Sequence, residues 1–94
     1  MERVVVTGLG VVSPLGCDAS TLFENLLAGK SGISTIQSFD PVNHATRIAG
    51  EVLGLEFDKY FQPKELKRYD RYSQFALIAA GQAVQESCLQ DASF

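Results

Sequence analysis

The sequence predicts an α/β fold. Three observations carry that expectation: a short β-branched apolar run at the N-terminus, a loop rich in glycine and proline after it, and an amphipathic helical stretch beyond the loop. Arg3-Val4-Val5-Val6-Thr7 is continuously apolar at its centre and too short for a helix. It reads as a strand buried on both faces, as in a parallel sheet covered by helices. Gly8-Leu9-Gly10 allows a tight turn or a close backbone approach, and Pro14 ends any strand pairing.

Asp18 is placed to cap a helix over about 19–28, whose apolar stripe is Leu22, Phe23, Leu26 and Leu27. Gly29 follows where a left-handed terminating glycine belongs. From Ile33 to Gly50 the pattern is irregular, with a turn at Phe39-Asp40-Pro41-Val42-Asn43 and a short extended piece at 48–52. Phe57 to Phe61 is ambiguous, and Pro63 either breaks it or opens the next helical turn. Asp70 caps a last helix reaching about Leu89, apolar almost all round at 75–80 and therefore expected to be buried on more than one side. Small residues Ala76, Ala79, Ala80 and Ala83 leave room for a close neighbour on that helix.

Ninety-four residues make at most one small domain. A compact chain of this size buries roughly 60–65% of the surface that its unfolded form exposes. With 46% apolar and 20% charged residues the composition is globular, neither disordered nor membrane-spanning. The longest apolar stretch falls far short of the ~20 residues a bilayer requires. Glu2 and the early Thr7-Gly8 make a poor signal peptide, so a cytoplasmic location is expected. The net charge of −3 argues against general nucleic-acid binding. Four of the eight basic residues, Lys64, Lys67, Arg68 and Arg71, nevertheless fall within eight positions, opposed only by Glu65 and Asp70.

The two cysteines, Cys17 and Cys88, have no partner spacing for a metal, and nothing pairs the only histidine, His44, with either thiol. Cys88 is expected to pack as a small hydrophobe. Gly8-Leu9-Gly10 after a strand invites a dinucleotide-binding reading, but the third glycine that fingerprint needs is replaced by Ser13, followed by Pro14. Close packing accounts for the same glycines without a ligand, and no cofactor is expected. Lys64, Lys67, Arg68 and Arg71 are spaced to share one helical face, which suits steering of an acidic partner; a solvated face partly neutralised by Glu65 and Asp70 is the plainer account. Tyr60, Tyr69 and Tyr72 read as packing aromatics with a polar end at the surface.

The run 4–16, Val-Val-Val-Thr-Gly-Leu-Gly-Val-Val-Ser-Pro-Leu-Gly, resembles the start of the β-ketoacyl-acyl carrier protein synthases. The likeness continues through Leu26-Leu27-Ala28-Gly29-Lys30-Ser31-Gly32-Ile33, Phe39-Asp40, Ala49-Gly50 and the stretch from Arg68 to Ala76, collinear over nearly the whole chain. It is nearest the elongating, type II condensing enzymes, with polyketide ketosynthases as close relatives.

The resemblance implies a thiolase-like α/β fold layered α-β-α-β-α, a homodimer, and residues 1–94 as an incomplete N-terminal segment of the synthase domain. It implies elongation of acyl chains in fatty acid biosynthesis by decarboxylative Claisen condensation with malonyl-acyl carrier protein, carried by a cysteine and two histidines beyond residue 94. None of those roles falls to Cys17, Cys88 or His44. It further implies that Lys64, Lys67 and Arg68 dock the acidic acyl carrier protein. A segment of this kind, alone, is expected to expose strand edges and apolar helix faces. The rival reading is a non-catalytic module that keeps the carrier-protein surface.

Overall fold

Asp18 opens the first helix, α1 (Ala19–Leu27), in the computed structural model, which describes residues 2–89. Its carboxylate accepts from the Thr21 amide at 2.8 Å and from the Thr21 hydroxyl at 2.9 Å, satisfying a donor that the helix itself leaves free. Those bonds from Thr21 hold the Asp18 carboxyl below the ordinary aspartate range. At the other end Gly29 takes φ +71°, its amide donating to Leu26 O at 3.1 Å while Lys30 N donates to Asn25 O at 3.0 Å. This is the paired closure by which glycine-terminated helices satisfy their last carbonyls.

Two short strands follow, β1 (Ile33–Thr35) and β2 (Ile48–Gly50), paired antiparallel with Ser34 opposite Ala49. The loop between them is held from both sides. Glu51 accepts from the amides of Gln37 at 2.7 Å and Ser38 at 3.1 Å, and Arg47 donates to the carbonyls of His44 and Val42. Bonds from Ser38 and Gln37 keep the Glu51 carboxyl below the usual carboxylate range. A 3₁₀ turn (Phe57–Lys59) leads into α2 (Pro63–Arg68) and then α3 (Arg71–Ser87).

The N-terminal segment departs from expectation. Val4, Val5 and Val6 are 93%, 60% and 80% exposed, and the segment pairs with no other strand among the described residues. A strand of this composition needs neighbours on both edges, and no segment described here supplies one. Its next residues are anchored on α3 instead. Gly8 lies against the Ala83 carbonyl and Gly10 against the Ala79 carbonyl, so closely that a Cβ at either position would collide with helix backbone. The alanines of α3 thus admit the chain's own N-terminal segment. No helix begins after Gly10 until Ala19, and this packing accounts for both glycines without a dinucleotide.

Gln82 completes the anchor. Its Oε1 accepts from Val11 N at 3.0 Å and its Nε2 donates to Cys17 O at 2.5 Å. Replacing Gln82 with leucine is expected to lower stability by about 2 kcal/mol, because two half-buried backbone groups lose their partners. Urea denaturation checks this; an unchanged midpoint would show that the segment is not held there.

The helix α3 is less covered than its composition suggests. Among the described residues only Phe61, Gln74 and Ile78 are buried, while Leu77 and Val84 stay exposed. Cys88 does not pack as a hydrophobe: it is exposed, and takes φ 60° as the residue terminating α3. The chain exposes 7585 Å², against about 5300 Å² for a compact protein of its mass. Its radius of gyration is 16.6 Å, where a compact domain of this length has about 12 Å. Much of the excess is apolar: Val4, Val6, Phe23, Leu26 and Leu27 all face outward.

Candidate functional site

The basic residues singled out in the sequence gather on a six-residue helix that is fastened at both ends. Pro63 sits at its first position, where its fixed φ suits a helix and its missing N–H is no loss. Glu65 reaches back to accept from Gln62 N at 2.9 Å, closing the N-terminus. The carboxylate that could have neutralised Lys64 or Arg68 is therefore engaged with the backbone. Lys64, Lys67 and Arg68 are all exposed, and the single ion pair among the described residues is elsewhere, Lys59 with Glu56 at 2.7 Å. The face is solvated, and Glu65 makes no ion pair with it.

Arg71 does not share this helix. After Arg68 the backbone goes extended at Tyr69 (φ −96°, ψ 137°) and Asp70 (φ −66°, ψ 160°), and α3 starts afresh at Arg71. Asp70 occupies the N-cap position of α3 by its backbone alone, with no side-chain capping bond, and its extended dihedrals do not carry the preceding helix through it. The Arg71 guanidinium lies 4.0 Å over the Phe57 ring, and Phe57 in turn meets Phe75 at 6.0 Å. That contact fixes the 3₁₀ turn to the start of α3. The Arg68 guanidinium lies 5.8 Å from the Tyr69 ring, which meets Phe61 edge-on at 6.1 Å.

Buried residues gather beside this helix; Ile78 lies in the stretch expected to be buried, while Phe61 and Gln74 were not singled out. Phe61 and Ile78 border one open cavity of about 510 Å³, together with Tyr60, Glu65, Tyr69 and Gln82. Gln74, only 4% exposed, donates through Nε2 to Tyr69 O at 2.9 Å and Leu66 O at 3.3 Å. The available signal was spacing: Gln74, Ile78 and Gln82 lie at i, i+4 and i+8, one line along α3 that continues two glutamines through an apolar face. Tyr60 and Tyr72 are exposed at the surface as expected, and Tyr69 is half-buried.

Cys17 is half-buried in the loop before α1 and Cys88 is exposed at the end of α3. His44 lies in the exposed loop between β1 and β2, its ring edge-on to Phe39 at 5.2 Å. No nucleophile–base pair is formed by these groups in the hydrogen bonds of the described residues. Three exposed cations therefore stand together on α2, apart from both thiols and the imidazole.

Comparison with known proteins gives this surface a setting. The model of the family described as β-ketoacyl synthase, N-terminal domain, matches residues 1–94. The chain is 39% identical over 88 residues to 3-oxoacyl-(acyl-carrier-protein) synthase 2 of Staphylococcus aureus, which covers 94% of this chain and 21% of that protein. It is 41% identical over 89 residues to the synthase 2 of Vibrio cholerae, covering 95% and 22% respectively. With the chloroplastic synthase II of Arabidopsis thaliana it is 44% identical over 90 residues, covering 96% and 17%. Among solved structures, the ishigamide ketosynthase/chain length factor superposes with a TM-score of 0.79 at 33% identity, covering 90% of this chain and 21% of that one. The fold shared with it is α/β and of the thiolase-like kind. The chain thus spans about a fifth of the length of the curated relatives it matches.

Proposed function

We propose, from the premise that this chain belongs to the β-ketoacyl synthase family and carries its N-terminal domain sequence, that it is the opening part of a 3-oxoacyl-acyl carrier protein synthase. Such an enzyme is an acyltransferase that lengthens acyl chains in fatty acid biosynthesis. It joins an acyl thioester to a malonyl thioester, releasing carbon dioxide and leaving a 3-oxoacyl thioester. The reading follows the relatives named synthase 2 in two bacteria and synthase II in a plant chloroplast. The condensing cysteine and its two histidines belong to other parts of the full enzyme, and Cys17, Cys88 and His44 take no part.

Within this chain the function is recognition. Lys64, Lys67 and Arg68 form the docking turn for the acidic acyl carrier protein. The observation that carries this is the engagement of Glu65 with Gln62 N, which leaves three exposed cations on a capped helix with no ion pair among the described residues. The large exposed apolar surface supports a place inside a bigger layered α-β-α-β-α domain, paired as a homodimer, in which Val4–Val6 find strand neighbours. It weighs against a stand-alone binding module. No described helix is long and apolar enough to cross a membrane, and a cytoplasmic setting suits the reaction.

Titration of the full protein with acyl carrier protein at two salt concentrations tests the reading. Affinity is expected to fall several-fold between about 50 mM and 300 mM salt as exposed charges are screened. Salt-independent binding, or tight binding by an isolated 94-residue chain that unfolds cooperatively, would contradict it.

A further inference from the structure

The glutamine beneath the basic turn has a role that space-filling does not explain. Gln74 is 4% exposed, and its Oε1 is buried without a hydrogen-bond partner among the described residues. A methionine or leucine would fill the same volume without burying an orphaned acceptor. What the amide supplies instead is its two N–H donors, one spent on α2 and one on the residue that caps it: Nε2 to Leu66 O at 3.3 Å and to Tyr69 O at 2.9 Å. Those carbonyls stand at the C-terminal end of a helix only six residues long, too short to hold itself together without tertiary ties.

The Leu66 carbonyl, in the last turn of α2, is a natural partner of Lys67 and Arg68. Cations in the last turn of a helix fold back to hydrogen-bond its final carbonyls, drawn by the negative end of the helix dipole. We propose that Gln74 is a positioning residue for the docking turn: by occupying the Leu66 and Tyr69 carbonyls with a neutral donor from α3, it holds α2 in place and leaves Lys67 and Arg68 free to reach an acidic partner. The role rests on the carrier-protein reading of that turn and assigns Gln74 no contact with the carrier itself.

The test is kinetic, in the full enzyme, with malonyl-carrier protein compared against a malonyl thioester of carrier-free pantetheine. Gln74→Met keeps the volume and removes both donors. The expected result is a roughly fivefold to tenfold rise in KM for the carrier-bound substrate, the loss of about one net hydrogen bond, with kcat and the carrier-free KM unchanged. An equal loss on both substrates would show that Gln74 merely holds the domain together, and would overturn the proposal. So would an unchanged carrier KM in Gln74→Met alongside a raised one in a Lys64→Ala/Lys67→Ala/Arg68→Ala variant, which would leave the docking reading standing. If that triple variant itself leaves the carrier KM unchanged, the docking reading fails and the positioning role falls with it. Should Gln74→Met not fold, Gln74→Asn, which keeps the amide but falls one methylene short of the carbonyls, is expected to show the same selective rise.

Discussion

Gly10→Ala is expected to destabilise the protein by about 3 kcal/mol, near the upper end of what forced overpacking costs. The offending atom is the Cβ itself. Built on Gly10, it would overlap the carbonyl group of Ala79 and crowd the amide of Ala83, all of it helix backbone. A flexible side chain could swing aside, but a carbonyl inside α3 moves only if the helix bends or the segment 8–11 lifts away. Lifting would also break the bond from Val11 N to Gln82 Oε1. Gly10→Val is therefore expected to cost little more than Gly10→Ala, since the first carbon already does the damage. Urea denaturation of the two variants checks both the size and the ordering. A loss below about 1 kcal/mol for Gly10→Ala would mean that the N-terminal segment does not pack on α3 as described.

Reversing the charge of the basic turn is expected to have the larger effect on activity. The variant Lys64→Glu/Lys67→Glu/Arg68→Glu should raise KM for acyl carrier protein by about a hundredfold or more at low salt, because like charges then face each other across the encounter. The side chains are exposed, so the change should leave thermal stability within about 1 kcal/mol of the parent. Added salt should narrow the gap between variant and parent, since screening weakens the attraction in one and the repulsion in the other. Steady-state kinetics over a salt series measures this. A KM unaffected by the reversal would move the docking site off α2 altogether.

The elements of the fold were legible to different degrees, and the reasons are local. The first helix and both of its ends follow from Asp18, the stripe at Leu22, Phe23, Leu26 and Leu27, and Gly29, because capping depends on a few contiguous residues. Asp70 marks the start of α3 as expected, although its side chain makes no capping bond there. That placement also excludes Arg71 from the helical face of Lys64, Lys67 and Arg68, a consequence that spacing alone conceals. The β1–β2 hairpin was half visible: Ile48–Gly50 reads as extended, while its partner Ile33–Thr35 lies in a stretch without alternation. Three-residue strands carry too short a pattern to declare themselves.

The candidate site divides along the same line. That three cations cluster at 64, 67 and 68 is plain in the sequence, and so is the family likeness from which a docking role for them is proposed. That no ion pair engages them among the described residues was not legible, because it depends in part on which way Glu65 turns. Glutamines carry no fixed meaning in a sequence. Gln74 and Gln82 acquire theirs by facing the carbonyls of Leu66, Tyr69 and Cys17 across the fold, 65 positions away in the case of Gln82.

By itself the sequence determined the family, both ends of α1, the start of α3, and the clustering of the basic turn, since each is written in contiguous residues whose chemistry acts over one or two helical turns. Only the tertiary structure decided what the two glycines are for, which acid is spent on a cap, and that Val4–Val6 stand without a partner strand among the described residues. Those outcomes depend on what distant backbone comes to lie beside each residue, and no local pattern encodes that.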